Sequence, residues 1–230
     1  QFPDVTADLG IEFVHLGGGR SRFLPEDVGS GCALEDLDGD GDLDLFLVNF
    51  EPIVPAKKHP NARTGHALYL NDGTGRFREV SRAAGVDTPV HGLGVAAGDP
   101  DADGDVDLFV TCFGGPDQLF LNRGDATFQD VAPVAGLVRP GFHLGATFAD
   151  YDGDEDVDLY VGGYVDCRFE PELTDRVDSQ YGLAIPFTLN PSSYRPERNI
   201  LWRNRGNGTF ENATDEAGVA NPEGRTMAVA

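Results

Sequence analysis

Positive charge is scarce in this 230-residue chain: 17 lysines and arginines stand against 39 aspartates and glutamates, for a formal net charge of −22. That balance excludes nucleic acid as a partner and argues against anionic membrane surfaces, because both would repel the chain. Long apolar runs are missing, so no segment is predicted to insert into a membrane and no signal peptide is expected within these residues. Gln1 stands where an initiating Met would, which fits a mature secreted chain. Cysteine is rare, with three residues and no CxxC pair. The five histidines, His15, His59, His66, His91 and His143, show no ligand spacing. Of these, His91 and His143 lead into strands and are weak candidates for catalysis. No Ser/His/Asp order and no phosphate-binding glycine loop is found, so the chain is predicted not to be an enzyme.

Aspartate, by contrast, is abundant and regularly spaced. Asp36, Asp38, Asp40, Asp42 and Asp44 alternate with other residues and run into Leu45, Phe46, Leu47 and Val48. The pattern returns at Asp99, Asp101, Asp103, Asp105 and Asp107, and again at Asp150, Asp152, Asp154, Asp156 and Asp158. Carboxylates this close repel one another unless a hard cation sits among them. Each copy fits D-x-D-x-D-G-x-x-D, in which side chains 1, 3, 5 and 9 and the carbonyl of residue 7 converge on calcium. Three Ca2+ sites are therefore expected. The helical calcium hand is excluded, since its bidentate Glu at position 12 is replaced by Leu47, Val110 or Val161 inside strand-forming runs. Position six, the sharp turn, is Gly41 and Gly104 in two loops but Glu155 in the third, which predicts the weakest site there.

A second periodicity fixes the unit. The pattern F-x-[DEN]-[VA] begins at Phe2, Phe77, Phe128 and Phe210, and each Phe is followed eight residues later by Gly10, Gly85, Gly136 or Gly218. From Gly85 to Asp99 and from Gly136 to Asp150 the step is fourteen residues. Each unit reads as four strands, with the aspartate loop between strands 1 and 2 and an Asn/Gly turn between strands 3 and 4. The first strands are predicted at Gly31–Glu35, Gly94–Gly98 and Gly145–Ala149, and the third strands at Ala67–Leu70, Gln118–Leu121 and Ile200–Arg203. The expected fold is all-β: three full β-propeller-type blades, about 29–86, 92–137 and 143–219, in a single domain over 1–230. Residues 1–11 and 225–230 would belong to incomplete flanking blades.

These units resemble FG-GAP/VCBS repeats, the blades of integrin-α-like propellers. The opening F-P-D-V-T-A-D-L-G-I-E-F-V-H, then L-P-E-D-V-G-S-G and the first loop, resemble the N-terminal half of secreted ASPIC/UnbV-type proteins. The resemblance implies a calcium-stabilised extracellular module for binding or adhesion. Some polysaccharide lyases share the repeat and use calcium near their substrate, so a carbohydrate-active enzyme is the alternative it implies.

Insertions mark where the units differ, and function concentrates in such segments. One insertion carries Lys57, Lys58 and His59; the longest carries Phe169, Tyr181, Phe187 and Tyr194. Both fall in connections from strand 2 to strand 3, which emerge opposite the aspartate loops. Lys57, Lys58, His59, Tyr181 and Tyr194 are therefore the expected contacts for a protein or glycan ligand. Cys32 takes the repeat position of Val95 and Ala146 and is expected to pack as a small apolar residue; Cys112 and Cys167 follow second strands of neighbouring units and would suit either a disulfide or free thiols. Arg123-Gly124-Asp125 spells an adhesion tripeptide but occupies the ordinary turn of its unit. Three blades leave two open edges, to be covered by further chain or by edge-to-edge pairing of copies, the latter giving an extracellular filament.

Overall fold

The computed structural model describes residues 3–15, 23–51, 63, 65–168, 170–173, 175–180 and 182–229. Three antiparallel four-stranded sheets follow one another, each with its strands in chain order. The first holds β1 (Cys32–Glu35), β2 (Asp44–Leu47), β3 (Ala67–Asn71) and β4 (Phe77–Glu79), and leads into α1 (Ser81–Ala84). The second holds β5 (Gly92–Gly98), β6 (Asp107–Cys112), β7 (Gln118–Asn122) and β8 (Phe128–Asp130), and leads into α2 (Ala132–Ala135). In the third, β9 (His143–Ala149) and β10 (Asp158–Gly163) are followed by an insertion. It contains β11 (Val165–Asp166), β12 (Val177–Gln180), β13 (Leu183–Pro186) and β14 (Arg195–Pro196), with β11 paired to β14 and β12 to β13. β15 (Ile200–Asn204), β16 (Phe210–Asn212) and α3 (Thr214–Ala217) complete it. Among the described residues the sheets do not close into a ring.

The expected strands of the three sheets are all present, but no strand forms at 3–11 or 225–229, where partial flanking blades were expected, and the one-turn helices were not expected. They explain the spacing of eight from Phe to Gly: three strand residues, one linking residue, four helical residues and the cap. Gly85, Gly136 and Gly218 end the helices in the left-handed region, at φ 82, 86 and 71°. They also serve the next unit. A Cβ on Gly85 would lie 2.9 Å from the Phe128 carbonyl oxygen, and one on Gly136 would lie 3.1 Å from that of Phe210.

Neighbouring sheets share their cores. Leu37, Phe46, Val48 and Leu68 of the first sheet meet Leu108, Val110, Phe120 and Phe128 of the second. On the second sheet's other face, Phe109, Leu119 and Leu137 meet Leu159, Val161, Ile200, Trp202 and Phe210 of the third. Residues of alternating orientation on β6 thus go to opposite neighbours, and the whole strand is buried, whereas β2 alternates between buried and half-buried. Burying a phenylalanine such as Phe46, Phe109 or Phe120 completely is worth about 1.5–3 kcal/mol.

Cys32 departs from its expected place, being exposed. Val95 and Ala146, at the matching register, pack toward the preceding sheet; among the described residues no sheet precedes the first, so Cys32 has nothing to pack on. Cys112 and Cys167 are buried free thiols rather than a disulfide, held in different clusters.

Candidate metal centre

The aspartate loops join the first and second strands of each sheet and are organised by their own backbone. The position-one side chain is a hub for N–H groups: Asp36 Oδ1 accepts from Gly39 and Asp40 at 2.9 and 3.1 Å, and its Oδ2 accepts from Gly41 at 2.9 Å. Asp99 accepts from Asp103 and Gly104, and Asp150 from Gly153, Asp154 and Glu155, in the same way. The chain must bend sharply for this, and Gly41 and Gly104 take φ 93 and 95° at position six. Glu155 is forced to φ 75° at the same point, a strain of about 1 kcal/mol that a glycine would not carry.

Position nine opens the second strand and is buried in every copy: Asp44, Asp107 and Asp158 are at most 1 % exposed. Their Oδ1 atoms accept from the backbone N–H of Asn71, Asn122 and Asn204 at 2.9, 2.7 and 2.8 Å. Those asparagines end the third strands, and their Nδ2 groups donate to Leu43, Val106 and Val157 carbonyls in the same loops. Two of them also reach back one unit, Asn122 Nδ2 to the Leu37 carbonyl at 2.8 Å and Asn204 Nδ2 to that of Pro100 at 2.7 Å. The loops therefore brace the joints between sheets.

Three trios of carboxylates converge, with one oxygen from each member within 4.8 Å of the others: Asp36, Asp38 and Asp40; Asp99, Asp101 and Asp107; Asp150, Asp152 and Asp158. Asp103 and Asp154, at position five, accept from the N–H of Asp105 and Asp156, as Asp40 does from Asp42. The position-seven side chains turn toward the hairpin glycines instead: a Cβ on Gly73 or Gly124 would lie 2.7 Å from Asp42 or Asp105 Oδ2, and one on Gly206 would collide with Asp156. This leaves position seven its backbone carbonyl as a ligand.

Among the described residues two buried carboxylate oxygens, Asp38 Oδ1 and Asp107 Oδ2, have no hydrogen-bond partner. A bare oxygen in such a place is costly unless a proton or a cation meets it. Burial, reinforced by Asp101, Asp103 and Asp99 against the Asn122 N–H, pushes the Asp107 carboxyl up to about 8. Burial and the nearby Asp40 and Asp36 raise Asp38 as well. An all-carboxylate and carbonyl donor set of this kind suits a hard divalent ion.

The face opposite the loops is braced by other residues. His66 Nδ1 accepts from the Asn49 N–H at 3.1 Å and its Nε2 lies 3.1 Å from Gln118 Oε1 on the second sheet. Asp117 holds the matching place one unit on: Oδ1 accepts from the Cys112 N–H at 2.8 Å, and Oδ2 lies 2.6 Å from His143 Nδ1 on the third sheet. Glu197 Oε1 stands 3.9 Å from His143 Nε2. His91, which like His143 is a catalytic candidate by sequence, is held between the Glu51 and Pro25 carbonyls.

Of the expected ligand contacts, Lys57, Lys58, His59 and Tyr181 lie outside the described residues. Tyr194 is half-buried, donates its hydroxyl to the Thr188 carbonyl at 3.1 Å, and lines a cavity of about 340 Å³ with Arg168, Glu170, Phe187 and Arg195. Arg123-Gly124-Asp125 is an ordinary turn, its Asp125 accepting from the Thr127 N–H as Asn207 does from Thr209 at the same place in the third unit. No helix among the described residues is long and apolar enough to cross a membrane.

Human cartilage acidic protein 1 is 32 % identical over 143 residues, covering 60 % of this chain and 21 % of its own length. The Xenopus tropicalis protein of that name is 33 % identical over 161 residues, 68 % of this chain and 21 % of the relative. The chain thus spans about a fifth of these curated relatives. A family model described as FG-GAP-like repeat matches residues 36–110 and 99–161, two overlapping spans that contain all three aspartate loops and the joint between the first and second sheets. With the loops, the strand order and the Phe-to-Gly spacing all repeated in register, the chain belongs to the FG-GAP-like repeat family.

Proposed function

We propose that this chain is a calcium-stapled, non-catalytic binding module of the cell exterior, its three sheets serving as blades in the arc of a β-propeller. One observation carries the reading: the buried Asp107 Oδ2 sits in a trio with Asp99 and Asp101, where a cation would satisfy it and no hydrogen-bonding group among the described residues does. Loops of this type suit the millimolar calcium outside cells, and likeness to cartilage acidic protein 1 supports an extracellular setting. Asp36, Asp38, Asp40 and Asp44 hold the first ion, Asp99, Asp101, Asp103 and Asp107 the second, and Asp150, Asp152, Asp154 and Asp158 the third, with the carbonyls of Asp42, Asp105 and Asp156. Calcium supplies charge neutralisation and rigidity. The chain's own asparagines then pass that rigidity to the joints.

Recognition of a protein or glycan falls to the opposite face, where the insertion of the third unit places Tyr194, Arg168 and Arg195 around a cavity. The perturbed histidines support a non-catalytic role, because His66, His91 and His143 are buried and each is engaged as a brace, His66 and His91 through both ring nitrogens and His143 through Nδ1. Calorimetric titration with calcium chloride tests the reading, together with melting in calcium and in chelator. Each ion at a hundred times its dissociation constant contributes about 2.7 kcal/mol. Absence of binding heat, with a melting temperature indifferent to chelator, would overturn it. For the face, Arg168→Ala with Arg195→Ala should weaken binding on a glycan and matrix-protein array without changing the calcium titration.

A further inference from the structure

The three loops differ at a position that is not a ligand. In the first, the N–H of Leu37 at position two donates to Asp44 Oδ2 at 2.9 Å; in the third, the N–H of Tyr151 donates to Asp158 Oδ2 at 3.0 Å. The second loop has Pro100 there, and proline has no N–H to give. The consequence is visible in the structure: Asp107 Oδ2 is buried without a partner, although its Oδ1 keeps the Asn122 N–H that all three loops share.

We propose that Pro100 makes the middle loop the tightest cation site of the three, by withholding the hydrogen bond that would otherwise satisfy Asp107 Oδ2. This rests on the reading of the loops as calcium sites and adds their order. An ion gains affinity where the ion-free loop is worst off, because binding relieves a defect that the free protein must otherwise carry. At position nine the first and third loops have already met this demand with a backbone N–H; the first keeps one unpartnered oxygen, Asp38 Oδ1 at position three, but on a half-buried residue where Asp107 is fully buried, so the same ion relieves less there. The third carries Glu155 at φ 75° where the first has only glycines at positive φ; the middle loop has its own strained residue, Ala102 at φ 58°, but unlike the third it lacks the position-two N–H. The order is therefore middle, first, third. Pro100 has a second role that makes this order matter: its carbonyl accepts from Asn204, so the tightest ion rigidifies the loop that clasps the third sheet to the second.

The test uses the whole chain and calcium chloride, read by calorimetry and by melting. Pro100→Ala restores a position-two N–H. It should raise the melting temperature in chelator and weaken the tightest binding event about tenfold, leaving the two weaker events unchanged. Asp101→Asn removes an exposed ligand of the middle loop without touching the core, and should abolish the tightest event; Asp38→Asn and Asp152→Asn should each abolish a weaker one. The inference is overturned if Pro100→Ala leaves the tightest event intact, or if Asp101→Asn abolishes a weaker event instead. In either case the parent protein would still bind calcium, so the site order would fail while the calcium reading stood. A parent that shows no binding heat overturns both.

Discussion

The joint between the first and second sheets and the joint between the second and third are built to one plan and closed by different chemistry. Both have an aromatic and aliphatic layer in the middle and an asparagine reaching to a loop carbonyl at the aspartate end, at 2.8 and 2.7 Å. At the other end the residue before the third strand does the same local job in each unit, since His66, Asp117 and Asn199 all accept an N–H from the end of the second strand. What it then offers to the next sheet differs. His66 meets the neutral Gln118, while Asp117 meets His143, which also faces Glu197. A repeat can thus conserve a backbone brace and change the electrostatics of its joints by one side chain.

The two histidines titrate in opposite directions. Burial holds His66 down to about 4, outweighing the Gln118 hydrogen bond. Burial would lower His143 too, but the Asp117 charge and hydrogen bond, with Glu197, outweigh it and Arg139, and its value is raised above the ordinary 6.5. For His66, the unfolded chain binds the proton more readily between 6.5 and about 4, so its contribution is present above 6.5 and is lost on acidification. For His143 the folded state binds it more readily, so the contribution is complete below 6.5 and is lost as pH rises through the folded value.

The largest expected effect breaks the feature that the joints share. Phe120→Ala in the first joint and Phe109→Ala in the second each empty a fully buried site and should cost about 3–5 kcal/mol in urea unfolding. Unequal costs would show that one joint dominates the cooperative unit. Next comes the charged end of the second joint. Asp117→Asn keeps an acceptor for the Cys112 N–H but strips His143 of its counter-charge, and should cost about 3 kcal/mol at pH 6. The same variant should flatten the fall in stability on the alkaline side of 6.5, and histidine proton shifts should show His143 titrating below its parent value.

His66→Asn copies the brace that the third unit already uses. It should cost about 1 kcal/mol at pH 7 through the lost Gln118 contact. It should also remove the acid-side loss between 6.5 and 4 while leaving the alkaline side unchanged; persistence of the acid loss would assign it to His91 or to carboxylates. The smallest effect is Glu155→Gly, which relieves the left-handed strain at φ 75° and should stabilise the third loop by about 1 kcal/mol, read as tighter binding of the weakest calcium.

Much of the framework was legible in the chain alone. The threefold aspartate loop and the constant step from Phe to Gly located the sheets, and β3, β7 and β15 end one residue beyond their predicted ends, at the asparagines that tie the two turns together. The one-turn helices were not legible, because four residues are too short to show helical periodicity. The hairpin β12–β13 and the pair β11–β14 were likewise hidden in an insertion without alternation. Cys32 was misplaced because repeat position predicts which way a side chain points, not whether a neighbouring sheet is there to meet it.

The sequence by itself determined where the carboxylates stand, how the strands alternate and what each turn demands of its backbone. These are local matters, set by steric limits and spacing within a few residues. The tertiary structure alone decided which oxygen goes unsatisfied and in which direction each histidine's proton affinity moves. Asp107 Oδ2 lacks the partner its sisters have, since position two of its loop is Pro100 with no N–H to give, and His143 meets Asp117 from a strand 26 residues away. Hydrogen bonds and pKa values depend on what lies within a few ångströms in space, and burial multiplies their consequences by removing the water that would otherwise level them.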